Sequence, residues 1–387
     1  MSVFDVHHEE SYLDNASTTV VAPEVVDEMQ AFLEERYGNP ETPYRLGREA
    51  MAAVDEAREK VAALMNASPD EVFFTSGGTE ANNWAVKGTK GAKDAVVVSA
   101  VEHSSVLKAA EWVYGSSAGR LCVAPVDKAG LVDVRFIEKK LKTKKVGLVS
   151  VQLGNNEVGT LQPVAEIAKL CEEYKTVFHC DAVQGYGKMP VDVKELKVDY
   201  MSVSGHKIHG PMGVGALYVR KGADIEPLLH GGDQESGMRA GTMAVPQIVG
   251  FGKAAELAME SLEVDEERMR MLSEHIASEI VQKFDAVRNG HKDSRLPHIV
   301  SVTFPGVESS LVAGIMADQH KCYVGTGSAC GVRHRESHVL KAMGSSYRDG
   351  NSTLRVSLSR YTTRNELIVF VALLQKGIVE VVKRDAL

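Results

Sequence analysis

The chain has 387 residues, 44% of them hydrophobic and 25% charged, with a formal net charge of -8. That length accommodates two or three domains with a large buried core, and the composition excludes disorder as a global state. The acidic balance, with no long Lys/Arg block, excludes a direct nucleic-acid partner, and no apolar run reaches the roughly 18 residues of a membrane span.

The N-terminal "MSVFDVHHEE" carries acids where a signal or transit peptide would begin with basic residues, so a cytoplasmic location is expected. From about residue 70 to 220, β-rich runs alternate with segments of helical period. "EVFFT" leads through "SGGT" into "EANNWAVKG", "DAVVVSAV" precedes "SSVLKAAEWVYG", and "VGLVSVQL" precedes "PVAEIAKLCEEY". "VFHCDAV", "YMSVSG" and "GALYVRK" follow. Strand then helix, repeated, predicts an α/β domain with a large, mainly parallel sheet, whose ligands gather at the carboxyl ends of its strands. A charged helical segment without Gly or Pro, around residues 253–285, is expected to connect to a second domain. The remainder, from "PHIVSVTFPG" to "NELIVFVALLQKGIVEVVKR", mixes strands and helices. The expected division is a large domain over 16–258 and a smaller α+β domain built from 1–15 and 259–387.

Four strand ends fall on one sheet edge in this reading. In "FFTSGGTEANN", Gly77 and Gly78 permit close backbone approach, Thr79 offers a hydroxyl, and the following helix points its N–H groups at the loop. The stretch reads either as an anion cradle or as a tight turn. Asp181 closes the apolar run "VFHCD", where it serves either as a cap for the next segment or as the partner of a protonated ring nitrogen. Asn155 and Asn156 end "VQLGNN", where adjacent amides commonly make turn hydrogen bonds. Lys207 follows "YMSVSGH" amid glycines, and an amine there reacts only if it is desolvated or set beside positive charge, surroundings that His206 and the neighbouring strand ends are expected to provide. An anion cradle, a carboxylate for a pyridinium and a lysine together are the parts that pyridoxal 5'-phosphate requires.

The five cysteines are scattered, with no zinc-type pair, so neither a disulfide framework nor a metal site is expected within the chain. Cys122, Cys171 and Cys180 lie in apolar segments and read as buried structural thiols. Cys330 follows "VGTGSA" and precedes "GVRHRESH", which predicts a loop thiol with basic neighbours that favour thiolate.

Taken together, "YLDNASTT", "YGNP", "FFTSGGTEANN", "VEHSSVL", "NNEVGTLQPV", "HCDAVQGYGK", "DYMSVSGHKIHGPMGVGALYVR", "GGDQESGMRAGT", "GTGSAC" and "LRVSLSRYTT" resemble the ordered motifs of cysteine desulfurases of the NifS/IscS type. These are fold-type I pyridoxal phosphate enzymes, and the resemblance covers nearly the whole chain. It implies that Lys207 is the Schiff-base lysine and moves protons, that His103 stacks on the cofactor ring and assists proton transfer as a catalytic residue, and that Asp181 pairs with the ring nitrogen. Gln184 and Asn156 would reach the ring oxygen or the substrate, and Gly78, Thr79, Ser204 and His206 would hold the phosphate. Thr242 would come from the neighbouring subunit of a homodimer. Arg355 would bind the carboxylate of L-cysteine, and Cys330 would take the sulfur as a persulfide, releasing alanine.

The implied partner is an iron–sulfur scaffold or another sulfur acceptor, for cluster assembly or tRNA thiolation, and in such a complex Cys330 could ligate a cluster. Departures from the usual pattern follow the nucleophile, where "CGVRHRESHVLKAMG" is shorter, more basic and lacks a proline; they bear on sulfur delivery. A selenocysteine lyase on the same cofactor and a non-catalytic assembly partner on the same fold are the alternatives. Lys207, Asp181 and Cys330 together argue against the second.

Overall fold

The computed structural model describes residues 10–89, 94–115, 119–326 and 336–385. In chain order the strands are β1 (Ser11–Tyr12), β2 (Val72–Thr75), β3 (Ala95–Ser99), β4 (Leu121–Ala124), β5 (Val146–Ser150), β6 (Val177–Asp181) and β7 (Tyr200–Ser204). They continue with β8 (Gly215–Val219), β9 (Val287–Arg288), β10 (Ile299–Thr303), β11 (Cys322–Tyr323), β12 (Gly325–Thr326) and β13 (Thr353–Ser357).

Seven strands form the large sheet in the order β2-β8-β7-β6-β5-β3-β4. Only β8 runs against its neighbours, so the sheet is mainly parallel, as expected. All five residues of β3, of β7 and of β8 are buried. A sheet covered on both faces has no polar side, and runs such as "AVVVS" follow from that. Crossover helices Gly78–Gly88, Ser104–Tyr114 and Val164–Tyr174 return the chain between parallel strands. Their connections bring residues 75–79, 99–103, 181–184 and 204–207 to one edge.

A second sheet, β12-β13-β10-β9, is antiparallel throughout. β1 pairs in parallel with β11, and Leu13 lies in the core that holds Ile276, Val300, Val356 and Phe370. The larger core runs from Ala22 to Ala258 around the seven-stranded sheet.

The connecting helix spans Val245–Phe284, eight residues earlier at its start than the sequence pattern suggests. Pro246 is tolerated in the first turn, where its missing N–H has no helical partner. Gly250 and Gly252 are contact points rather than breakers, because a Cβ on Gly252 would lie 2.6 Å from Ala57 Cα and one on Gly250 2.7 Å from Met29 Cγ. The helix spans both cores: Phe251, Ala254 and Ala258 pack into the larger one, Ile276, Ala277 and Ile280 into the smaller. Among the described residues, no helix is long and apolar enough to cross a membrane.

Candidate active site

Lys207 ends a single helical turn, Gly205–Lys207, directly after β7. Its Nζ donates to Ala16 O at 2.7 Å and Ser17 O at 2.6 Å. The same Ala16 carbonyl accepts from Gln184 Nε2 at 2.9 Å, and Arg355 Nη2 donates to Ser17 Oγ at 2.7 Å. The stretch "DNASTT" is therefore the strap that joins Lys207, Gln184 and Arg355. Thr18 and Thr19 extend it, since Thr18 Oγ1 meets His206 Nδ1 at 3.1 Å and the Thr19 hydroxyl donates to His206 O at 3.0 Å. No local pattern in the sequence assigns this segment a role, because its partners lie far along the chain.

At the next strand end, Asp181 is 7% exposed. One oxygen accepts from Asn82 Nδ2 at 2.7 Å and the other from Val183 N at 3.0 Å, so the carboxylate both organises the turn and is aimed by a buried amide. Asn82 Nδ2 also donates to Ser105 Oγ at 2.9 Å, and Ser105 Oγ lies 2.7 Å from His103 Nδ1. His103 caps the helix Ser104–Tyr114, with Nδ1 accepting from Ser105 N at 3.2 Å. A nitrogen that accepts the N–H and the hydroxyl carries no proton, so the proton of the neutral ring is on Nε2. Loss of hydration holds His103 below the usual imidazole value, against the raising effect of Asp181 and with Lys207 adding to the lowering. Its outer side remains exposed, which suits a ring-stacking role. The chain Asp181–Asn82–Ser105–His103 was not foreseen beyond its two ends.

The anion cradle keeps its glycine logic. Gly77 has φ +146°, a backbone conformation that side chains resist, and a Cβ on Gly78 would meet Val183 Cγ2 at 2.7 Å. Beside them, Ser204 Oγ is buried with no hydrogen-bond partner. A buried hydroxyl left unmatched is costly, and here it lies by a helix N-terminus, a combination that fits a phosphate. Thr79, in the first turn of that helix, is exposed.

His206 adds no positive charge beside Lys207. Burial first, then the charges of Lys207 and Lys188, push it down to about 4, so it is neutral at pH 7. Nor do Asn155 and Asn156 end a strand, because β5 stops at Ser150. Asn155 builds the turn, donating to Val101 O at 3.1 Å and accepting from Glu157 N and Val158 N at 2.8 and 2.9 Å. Asn156 is half-buried, and its carbonyl accepts from Arg355 Nη1 at 2.7 Å.

Arg355, on β13, is 4% exposed and is held by Asn156 O, by Ser17 Oγ and by Asp14 Oδ1 at 2.6 Å. Its Nε is buried and makes no hydrogen bond. An unmatched N–H on a pinned guanidinium is a donor prepared for an anion. Gly325 leaves room for it, since a Cβ there would lie 3.0 Å from Arg355 Nε.

The structure thus joins Lys207, Gln184 and Arg355 through the strap and Asp181 with His103 through Asn82. Thr242 is exposed, on a segment pinned by Arg239–Glu80 and Arg58–Glu235 pairs at 2.8 and 2.7 Å. Cys330 lies outside the described residues. Cys122, Cys171, Cys180 and Cys322 are buried free thiols. Burial, with Glu366, pushes Cys322 up to about 12, which leaves it protonated and unsuited to relaying sulfur. Sequence reasoning also missed Glu102, whose carboxyl burial raises well above the usual range while one oxygen accepts from Gln152 N at 2.9 Å.

Comparison with known proteins places this geometry in context. The aminotransferase class-V family model matches residues 11–370. A cysteine desulfurase IscS of Dictyoglomus turgidum is 42% identical over 366 residues, covering 92% of each chain. Among solved structures, a NifS-like protein superposes with a TM-score of 0.87 at 37% identity, over 95% of this chain and 98% of the other. The structure of SspA in complex with cysteine superposes with a TM-score of 0.80 at 32% identity, over 91% and 100%.

Proposed function

The chain belongs to the class-V aminotransferase family and is a pyridoxal-phosphate-dependent cysteine desulfurase, and from that premise we propose which of its residues do the work. The reading rests on one observation above the others: an amine, an aimed carboxylate and an unmatched buried hydroxyl, Lys207, Asp181 and Ser204, gather at one sheet edge.

Lys207 would hold the cofactor through its amine, and the same amine is the group placed to carry protons to and from the substrate. Asp181 keeps the ring nitrogen protonated, with Asn82 fixing the orientation of its carboxylate. Pyridoxal phosphate, when bound, supplies the electron sink that labilises bonds around the substrate α-carbon. His103 covers the ring, and Gln184 and Asn156 address the ring oxygen or the substrate. Gly78, Thr79, Ser204 and His206 take the phosphate, with Thr242 added from a second copy of the chain. The exposure of Thr242 in the single chain supports that homodimer.

Arg355 binds the cysteine carboxylate through its free N–H; the cysteine in the SspA structure supports an amino-acid substrate of this kind. The Cys330 thiolate would attack the substrate sulfur, an S–S bond forming as the C–S bond breaks; the C–S bonding pair stays with the β-carbon, which takes up a proton, and the products are alanine and a Cys330 persulfide. The persulfide then passes to a scaffold or other acceptor protein for iron–sulfur assembly or tRNA thiolation. Unpaired cysteines throughout the described core support a reducing compartment, the cytoplasm.

The test is incubation with L-cysteine, with alanine and protein persulfide measured together. Wild type should yield both. Cys330→Ala should keep its colour yet form no persulfide, whereas undiminished turnover would remove Cys330 as the sulfur acceptor.

A further inference from the structure

Lys188 and His298 lie behind the site, 4% and 0% exposed, and no step above uses them. Lys188 Nζ stands 3.4 Å from His298 Nε2, and the same nitrogen stands 3.3 Å from Gln184 Oε1. Gln184 continues the line, since its Nε2 shares the Ala16 carbonyl with Lys207 Nζ. His298 Nδ1 is buried without a hydrogen-bond partner.

One imidazole nitrogen cannot donate to Gln184 and accept from Lys188 at the same time. If Lys188 is an ammonium, it donates to Nε2, the ring proton moves to Nδ1, and Gln184 Oε1 loses its donor. If Lys188 is a neutral amine, Nε2 keeps its proton and donates to Gln184 Oε1. The ring itself stays neutral in both cases, because burial, reinforced by Lys188, Arg355 and Lys207, holds His298 well below the usual imidazole value. The choice between tautomers therefore falls to Lys188. Burial, with the charges of Lys207 and Arg355 adding, brings its amine down to about 7, within reach of ordinary pH changes. The other charged or titratable groups facing it are His206 and His209, which feel its charge, and Asp265 and Arg360, which line the same small cavity and pair with each other at 3.1 Å.

We propose that Lys188 is a proton-linked positioning residue: its charge state selects the His298 tautomer and so decides whether Gln184 is held by His298 or released toward the cofactor ring. The inference rests on the assignment of Gln184 and Lys207 to the pyridoxal phosphate site.

The experiment titrates the visible absorbance of the cofactor-loaded protein from about pH 6 to about pH 9, with melting of the cofactor-free protein followed in parallel. Wild type should show a spectral inflection that both Lys188 variants lack. Lys188→Met should hold the high-pH spectrum across the range and Lys188→Arg the low-pH one. His298→Gln, which keeps the amine but cannot change tautomer, should lose the inflection. In the cofactor-free protein the folded state releases the Lys188 proton near 7 whereas the unfolded chain keeps it to about 10.4, so wild type should gain stability relative to Lys188→Met as pH rises between those values. Identical spectral titrations in wild type and both Lys188 variants would overturn the role of Lys188, and an inflection that survives in His298→Gln would overturn the relay. No visible band in any of the proteins would instead overturn the cofactor assignment on which it rests, and a melting profile of wild type parallel to that of Lys188→Met would overturn the titration of the amine whether or not cofactor binds.

Discussion

Lys207→Ala is expected to purify colourless from medium containing pyridoxal phosphate and to lose on the order of 10³-fold or more of its desulfurase rate. The size of the effect follows from two roles meeting in one side chain, attachment of the cofactor and movement of substrate protons. Lys207 Nζ is the amine that reaches across the sheet edge to the strap carbonyls of Ala16 and Ser17, within the field felt by His103 and His206. Lys188 is the nearest alternative in charge terms, yet it is enclosed behind Gln184 and His298. Lys207→Ala should still fold, because the side chain is only half-buried and its hydrogen bonds go to strap carbonyls rather than into the core. Retained yellow absorbance with an unchanged rate would remove Lys207 from the centre of the site.

Arg355→Ala is expected to raise the KM for cysteine by roughly 10- to 100-fold, the loss of one charge-assisted carboxylate contact, while the cofactor band persists. Stability should fall as well, since Asp14 loses its cation and the Asn156 carbonyl its donor. Breaking a buried pair costs about 3–5 kcal/mol, and the partial exposure of Asp14 places this case at the low end of that range. Arg355→Lys separates the two effects: an ammonium restores the charge opposite Asp14 but not the planar fork, so melting should recover more than KM does. A KM for cysteine unaltered in a folded Arg355→Ala protein would leave the substrate carboxylate to another residue.

Both predictions depend on residues whose types are legible in the sequence, Lys207 at a strand end and Arg355 within the strand-like "LRVSLS". The alternation of apolar strands and helical segments is enough to give the sheet, and the sheet's parallel sense is enough to bring Gly78, Asp181 and Lys207 to one edge. Asn155 and Asn156, by contrast, lie beyond the end of β5, and His103 is marked only by the family resemblance. What local pattern does not convey is pairing at long range. The strap Asp14–Thr19 acts through partners about 190 and 340 residues away, Lys207 and Arg355, so nothing in its own neighbourhood marks its role. Gly250 and Gly252 fall outside the Gly-free segment legible in the sequence, because the two helices against which they pack, those carrying Met29 and Ala57, are not visible in local pattern. The neutrality of His206 and the lowered Lys188 amine both follow from burial, which local pattern does not convey. Titration is set by surroundings contributed from several strands at once, which is why the candidate chemistry was readable residue by residue and its electrostatics were not.

The central claim is that Lys207, and no other amine, joins the cofactor. Reduction of the pyridoxal-phosphate-loaded protein with borohydride, followed by peptide mapping, tests it directly. The account predicts a pyridoxyl adduct on the peptide that contains "SGHKIHG", at Lys207. An adduct on Lys188 or on any other lysine, with Lys207 unmodified, would contradict it.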